Sequence, residues 1–355
     1  MNFSKIIIAL LFTVISCKKE NPSKNNLADV DHYFQYITKI DWVENQDSIS
    51  IKSGNEIIHF AKNDLPLKTA MVIPTSVISY LDELQLTDKI SGISQPDYIF
   101  NPKIQSLLRE NKLEEIATYN EIFVEKIWVN QPDIFITTSS PTLAKFHKLL
   151  KNQGITVLYI DEYLEENPLA RAEYVKLFGR LFGKEKEAQE LFNDIEKNYK
   201  EIQMKVQGNQ IQKPTILANH MYGDIWYMPG GESYQAQLFK DAGGDYLWAD
   251  NPSKSSLNLS FETVFEKAHE ADVWLNAGDF PTLDAFIASY QNYTWFASVK
   301  NKKVYNWYKR TTLKGANDYF ETGTVRPDWV LKDLAAILHP ELFPKHELYF
   351  YKKLE

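Results

Sequence analysis

Short apolar, β-branched runs alternate with amphipathic helical runs in two blocks of this chain. One long stretch, 167–206, reads as helix almost throughout and separates the blocks. This rhythm restricts the fold more than any single motif does. In the first block "TAMVIP" (69–74), "KISGIS" (89–94), "PDIFITT" (132–138) and "ITVLYI" (155–160) read as strands bounded by turn residues. Between them "SVISYLDELQL" (76–86), "PKIQSLLREN" (102–111) and "SPTLAKFHKLLKNQG" (140–154) carry apolar residues at helical spacing, the last with a glycine stop. Such alternation predicts a mostly parallel sheet with helices on both faces. Ahead of it, "DSISIKSGNEIIHFA" (47–61) predicts a hairpin turning at "SGN", an antiparallel addition to the sheet's edge.

Within 167–206, Leu177, Leu181, Leu191 and Ile195 form an apolar stripe, with Gly183 as a kink or step. The segment predicts a rigid strut between lobes. Alternation then resumes with "PTILANH" (214–220), "YQAQLFKDAGG" (234–244), "SFETVFEKAHE" (260–270), "ADVWLNAG" (271–278), "TLDAFIASY" (282–290) and "KKVYNW" (302–307), and a closing helix follows at 326–340. The expected fold class is α/β: two lobes, each a mostly parallel sheet flanked by helices, joined by one long rigid helix.

The N-terminus reads as targeting. "MNFSKIIIALLFTVISC" has an early lysine, an apolar stretch short for a membrane span, and small or β-branched residues before Cys17. This is the layout of a bacterial lipoprotein signal, and "VISC" resembles a lipobox in which the cysteine thiol carries the lipid. Cys17 is the chain's single cysteine, so no internal disulfide forms. The expected division is a signal peptide over 1–16, a polar tether over 17–26, an N-terminal lobe over 27–163, a linking helix over 164–207 and a C-terminal lobe over 208–355. A cell-envelope location follows, facing the periplasm or the surface and anchored through Cys17. The net charge of −8 has no basic stripe, which argues against a nucleic-acid partner.

"VEKIWVNQPDIFI" (124–136) is echoed by "FETVFEKAHEADVWL" (261–275): a glutamate heads a short amphipathic run, then an acidic residue precedes a dense apolar strand. With "YMPGGESYQAQLFKDAGGDYLWAD" (227–250), and in this order around one central helix, these stretches resemble the helical-hinge substrate-binding proteins of ABC importers for iron chelates, haem and vitamin B12. The resemblance implies a monomer that delivers its ligand to a permease in the inner membrane. It also implies one docking glutamate per lobe, Glu125 and Glu262, with Glu121 and Glu266 as the neighbouring alternatives. A carboxylate in a helix's first turn is favoured by the dipole in any case, so dipole preference alone is the competing explanation.

Ligands of such sheets lie at the carboxyl ends of the strands. The loops there are aromatic. One offers His220, Tyr222, Trp226 and Tyr227, another offers Trp307, Tyr308, Arg310, Tyr319 and Arg326, and the first lobe offers "DYIFNP" (97–102) and Tyr119. Aromatic walls with a few cations suit a large, partly apolar ligand that is anionic or polar-rimmed, an iron chelate first and cobalamin second. For each aromatic, core packing is the alternative, and Arg326 has a local partner in Asp328. No cofactor is expected. The seven histidines are dispersed, so a multi-histidine metal site is not expected, and only His220 remains available as one axial ligand to haem. No G-x-S-x-G, P-loop, G-x-G-x-x-G or H-E-x-x-H occurs, and the chain is not expected to be an enzyme. A cell-envelope enzyme and a capture lipoprotein without a permease remain as alternatives.

Overall fold

The computed structural model describes residues 33–54, 56–208 and 212–355. The expected signal, the tether and Cys17 lie outside the described residues. An antiparallel meander comes first: β1 (Ile40–Glu44), β2 (Ser48–Ser53) and β3 (Glu56–Ala61). The hairpin expected at 47–61 is present, but it forms a sheet of its own and not an edge of the parallel one. Ile49 and Ile51 alternate inward along β2, are fully buried and join the main core.

The first lobe's sheet contains β4 (Ala70–Val72), β5 (Ile90–Ser94), β6 (Glu114–Ala117), β7 (Ile134–Thr137) and β8 (Val157–Tyr159). Their order is β6-β5-β4-β7-β8, every pair parallel. Helices α1 (Thr75–Glu83), α2 (Pro102–Arg109), α3 (Val124–Asn130) and α4 (Ala144–Asn152) lie between the strands in the chain. All of β4 and β7 is buried, as strands covered on both faces must be. The sequence pattern misses β6 because only Ile116 and Ala117 of its residues are buried.

The strut is two helices. α5 (Pro168–Leu181) starts at an Asn167 cap, and α6 (Glu185–Gln207) runs 23 residues. Gly183 makes the step between them at φ +74°, a left-handed conformation that only glycine adopts freely. α6 buries Ala188, Phe192, Ile195, Tyr199, Ile202 and Val206, a stripe at alternating four- and three-residue spacing. Leu177, Leu181 and Ile195 are buried as expected, while Leu191 sits beside the stripe, half-buried.

The linker region also holds the start of the described chain. The buried Glu173 carboxylate accepts the backbone N–H groups of Gln35, Tyr36 and Ile37 at 2.8, 2.7 and 3.1 Å and pairs with Lys176 at 3.0 Å. Glu165, buried just ahead of α5, accepts the N–H groups of Thr38 and Lys39 at 2.8 and 2.9 Å and the Thr38 hydroxyl at 2.7 Å. A buried carboxylate is tolerated only with such partners, so these bonds fix 35–39 against the linker.

The second lobe contains β9 (Thr215–Ala218), β10 (Met221–Tyr222), β11 (Ile225–Met228), β12 (Asp245–Tyr246), β13 (Leu257–Leu259), β14 (Val273–Leu275), β15 (Tyr305–Asn306) and β16 (Lys352–Lys353). Its helices are α7 (Tyr234–Asp241), α8 (Phe261–Ala268), α9 (Leu283–Ser289), α10 (Ala297–Lys300), α11 (Thr322–Val325) and α12 (Pro327–Leu338). The parallel order β12-β9-β14 repeats β5-β4-β7. A second three-stranded sheet, the antiparallel β10-β11-β13, is added to this lobe.

The acidic residue of the repeated motif has the same task in both lobes. Asp133, just before β7, accepts the N–H groups of Lys68 and Thr69 at 2.6 and 3.1 Å, and its own N–H donates to the Thr69 hydroxyl oxygen at 3.0 Å. Asp272, just before β14, accepts the N–H and hydroxyl of Thr215, both at 2.8 Å, and its N–H donates back to that oxygen at 2.9 Å. Each clasp ties the start of a neighbouring strand, β7 or β14, to the start of the central one, where the sheet ladder has not yet begun.

Candidate functional site

The chain leaving the carboxyl ends of β8, β9 and β11 opens onto one cavity of about 330 Å³. Tyr163, Leu164, Glu165 and Glu166 line it from the loop after β8, and Arg171 from the first turn of α5. The second lobe supplies Asn219, Pro229, Ser233, Tyr234, Lys254, Tyr319 and Phe320. The cavity therefore lies between the lobes at strand carboxyl ends.

Arg171 is the best-fixed charge there. Its guanidinium carbon lies 3.6 Å from the Tyr234 ring centroid, Nε donates to the Glu165 carbonyl at 3.1 Å, and Nη2 donates to the Tyr163 carbonyl at 2.8 Å. The ring and two carbonyls thus hold the planar cation in one orientation. Burial raises the Tyr234 hydroxyl's pKa, against the lowering pull of Arg171. Lys254 adds a second cation, paired with Glu166 at 3.2 Å. Tyr234 also opens α7, whose Ser233 cap accepts the Ala236 N–H at 3.3 Å, so a helix N-terminus adds partial positive charge. Gly230 and Gly231 make this turn possible. A Cβ on Gly231 would lie 2.4 Å from the Asn251 carbonyl oxygen, and one on Gly230 would lie 2.2 Å from that of Ser253. Tyr163 and Phe320 keep half their surface exposed, and together the lining offers cations beside aromatic faces.

The segment after β15 spans the lobes. Glu321, 1% exposed, accepts the N–H groups of Phe100 and Asn101 at 2.5 and 3.0 Å, and Lys314 pairs with Asp97 at 2.5 Å. Burial pushes the Glu321 carboxyl up to about 8, although both amide donors oppose the shift. The Arg310 guanidinium lies 5.1 Å from the Phe100 ring centroid and 4.3 Å from that of Tyr349, and its Nε donates to Asp318 at 2.6 Å.

Of the ten residues expected at the ligand, Tyr319 lines the cavity, stacked on Trp307 with centroids 4.6 Å apart. Trp226 is core instead: it is fully buried, stacks on Trp274 at 5.3 Å, and donates Nε1–H to the Ala218 carbonyl at 2.9 Å. The strand period turns it inward, opposite to Tyr227. Arg326 is held by both Asp328 oxygens at 3.0 and 2.7 Å and lies over Trp329, away from the cavity lining. His220 packs edge-on to Phe280, and burial lowers its pKa. Tyr119, Tyr222 and Tyr227 are exposed, and Trp307, Tyr308 and Arg310 are half-buried; none of the six lines the cavity. Tyr163 lies in a post-strand loop and was open to the same reading that selected Tyr119. Arg171 is hidden in a segment that reads only as strut.

Glu125 and Glu262 are both exposed, each second in its helix, α3 and α8. Ser260 caps α8 by accepting the Thr263 N–H at 3.3 Å.

Two parallel-sheet lobes joined by helices, with a cavity between them lined by aromatic rings, Arg171, Lys254 and two glutamates, define a bilobal binding protein. Residues 72–311 match the model of the periplasmic binding protein family, and the chain belongs to that family. It is similar to an uncharacterized lipoprotein of Methanocaldococcus jannaschii, 28% identical over 304 residues that cover 83% of this chain and 70% of that one. Its fold is similar to that of a possible iron-binding, periplasmic solute-binding protein of Staphylococcus epidermidis, with TM-score 0.60, 19% identity and coverage of 77% of this chain and 99% of that one. It is also similar to CeuE of Helicobacter pylori in its nickel–histidine complex, with TM-score 0.62, 15% identity and coverage of 84% and 90%.

Proposed function

We propose that the protein is the substrate-binding lipoprotein of an ABC importer. It captures an iron chelate, a ferric siderophore or haem, between its lobes and delivers it to a membrane permease. The observation that carries this reading is the cavity itself: Arg171 fixed against Tyr234, with Lys254, Tyr163 and Phe320 around it. A fixed guanidinium beside aromatic faces suits an anionic chelate with an apolar shell, and a cavity of about 330 Å³ falls within the usual range for small-molecule sites. The similar Staphylococcus protein is described as possibly iron-binding, which is consistent with this ligand class.

In this reading Cys17 carries the lipid, 1–16 is removed, 17–26 is the tether, and 164–207 joins lobes at 27–163 and 208–355. Glu125 and Glu262 each meet an arginine of the permease, one from each lobe. Closure on ligand is small, since α5, α6 and the contacts of Glu321 and Lys314 all resist rotation. Reversing both charges, Glu125→Arg with Glu262→Arg, is expected to abolish ferric-siderophore uptake in the native cells and leave ligand affinity unchanged. Uptake that survives both reversals would refute the docking role.

A further inference from the structure

The chain has eight tryptophans, and their exposure is uneven. Trp42, Trp226, Trp248 and Trp274 are buried, Trp307 and Trp329 are half-buried, and Trp128 and Trp295 are 48% and 50% exposed. Trp128 lies on, and Trp295 packs against, the helices that carry the two proposed docking glutamates. Trp128 is three residues after Glu125 on α3, so the two share a helix flank. Phe265 stands at the same distance after Glu262 on α8, and Trp295 packs over it with centroids 5.6 Å apart, touching Phe261 as well at 6.0 Å. Val129, 72% exposed, and Glu266 occupy equivalent exposed positions one residue further on.

We infer that Trp128 and Trp295 are anchor residues of the permease-docking surface, one per lobe, each offering an indole on the face of a helix that carries a docking carboxylate. The inference rests on the docking role proposed above. Tryptophan is enriched among the residues from which interfaces draw their affinity. A carboxylate next to an indole favours arginine over lysine, because one guanidinium accepts the carboxylate's bidentate geometry and also stacks on the ring. The occupant is therefore an arginine-bearing surface of the permease, met once by each lobe.

The test places a photo-crosslinking p-benzoylphenylalanine at Val129 or Glu266 of the full chain in its native cells, with Val43, an exposed residue of β1, as control. Crosslinked partners are identified by mass spectrometry, with and without Trp128→Ala or Trp295→Ala. A permease adduct from 129 and 266 but not from 43 is expected, and each tryptophan variant should lower its yield about tenfold or more. An unchanged Tm confirms that the variants fold. Trp295→Phe, which keeps an aromatic ring on Phe261 and Phe265, replaces Trp295→Ala if the latter lowers Tm. Permease adducts whose yield does not respond to the tryptophan variants would overturn the anchors and leave the docking role standing. No permease adduct at 129 or 266, or one equally strong at 43, would overturn both.

Discussion

Among the described residues the first lobe builds a five-stranded parallel sheet around β4, whereas the second builds three parallel strands around β9, extended past β14 by the single parallel bridge Trp274–Val304, and fills the remaining space with aromatic side chains. Trp274 is central to that filling: Trp226 stacks on it at 5.3 Å, and Phe286, Tyr293 and Phe296 meet it at 4.9, 5.0 and 5.0 Å. What the lobes share is narrower than a whole sheet. It is the triplet β5-β4-β7 or β12-β9-β14, the Thr–Asp clasp, and a glutamate-led helix before the clasped strand. The repeated motif therefore marks a joint of the fold and a surface residue together, and the remainder of each lobe was free to diverge.

If the second lobe depends on its aromatic cluster, Trp274→Ala should cost about 3–5 kcal/mol in urea denaturation, as large aromatic deletions in a packed core do. A cost below about 1 kcal/mol would mean that the three parallel strands suffice. The clasps should be equivalent, each losing about 1–2 kcal/mol on Asp133→Ala or Asp272→Ala, because each removal strips buried or edge donors of their acceptor. A large loss at one site and none at the other would break the correspondence.

The joint between lobes should respond to pH through Glu321. Its carboxyl is raised from the ordinary 4.5 to about 8, so the folded state binds the proton more tightly than the unfolded one. The stabilisation is complete below about pH 4.5 and is lost as pH rises through about 8. The slope of Tm across this window should flatten in Glu321→Gln, and an identical slope in both proteins would remove the residue from the account. The smallest effect is expected from Trp226→Phe, about 1 kcal/mol for its single hydrogen bond, with ligand affinity unchanged in titration.

The sequence carried the strands and helices of both lobes because covered parallel strands are dense apolar runs, and Ala70–Val72 and Val273–Leu275 leave no ambiguity. Short or half-exposed strands such as β6 and β13 have too few inward residues to show a period. The cavity was legible only in part. Post-strand position found Tyr319, but it could not separate Trp226 from Tyr227, since adjacent residues of one strand face opposite ways. Arg171 was invisible for another reason: its role depends on Tyr234, sixty-three positions away in the other lobe, and no local pattern links them.

The most direct test of the account is a calorimetric titration of the protein with ferric siderophores of several classes, haemin and cyanocobalamin, repeated with Arg171→Gln. One iron chelate should bind one-to-one, and the substitution should weaken it about tenfold or more, as loss of a fixed charge-assisted contact does. Binding that is indifferent to Arg171, or no binding across the panel, would contradict the assignment of the cavity.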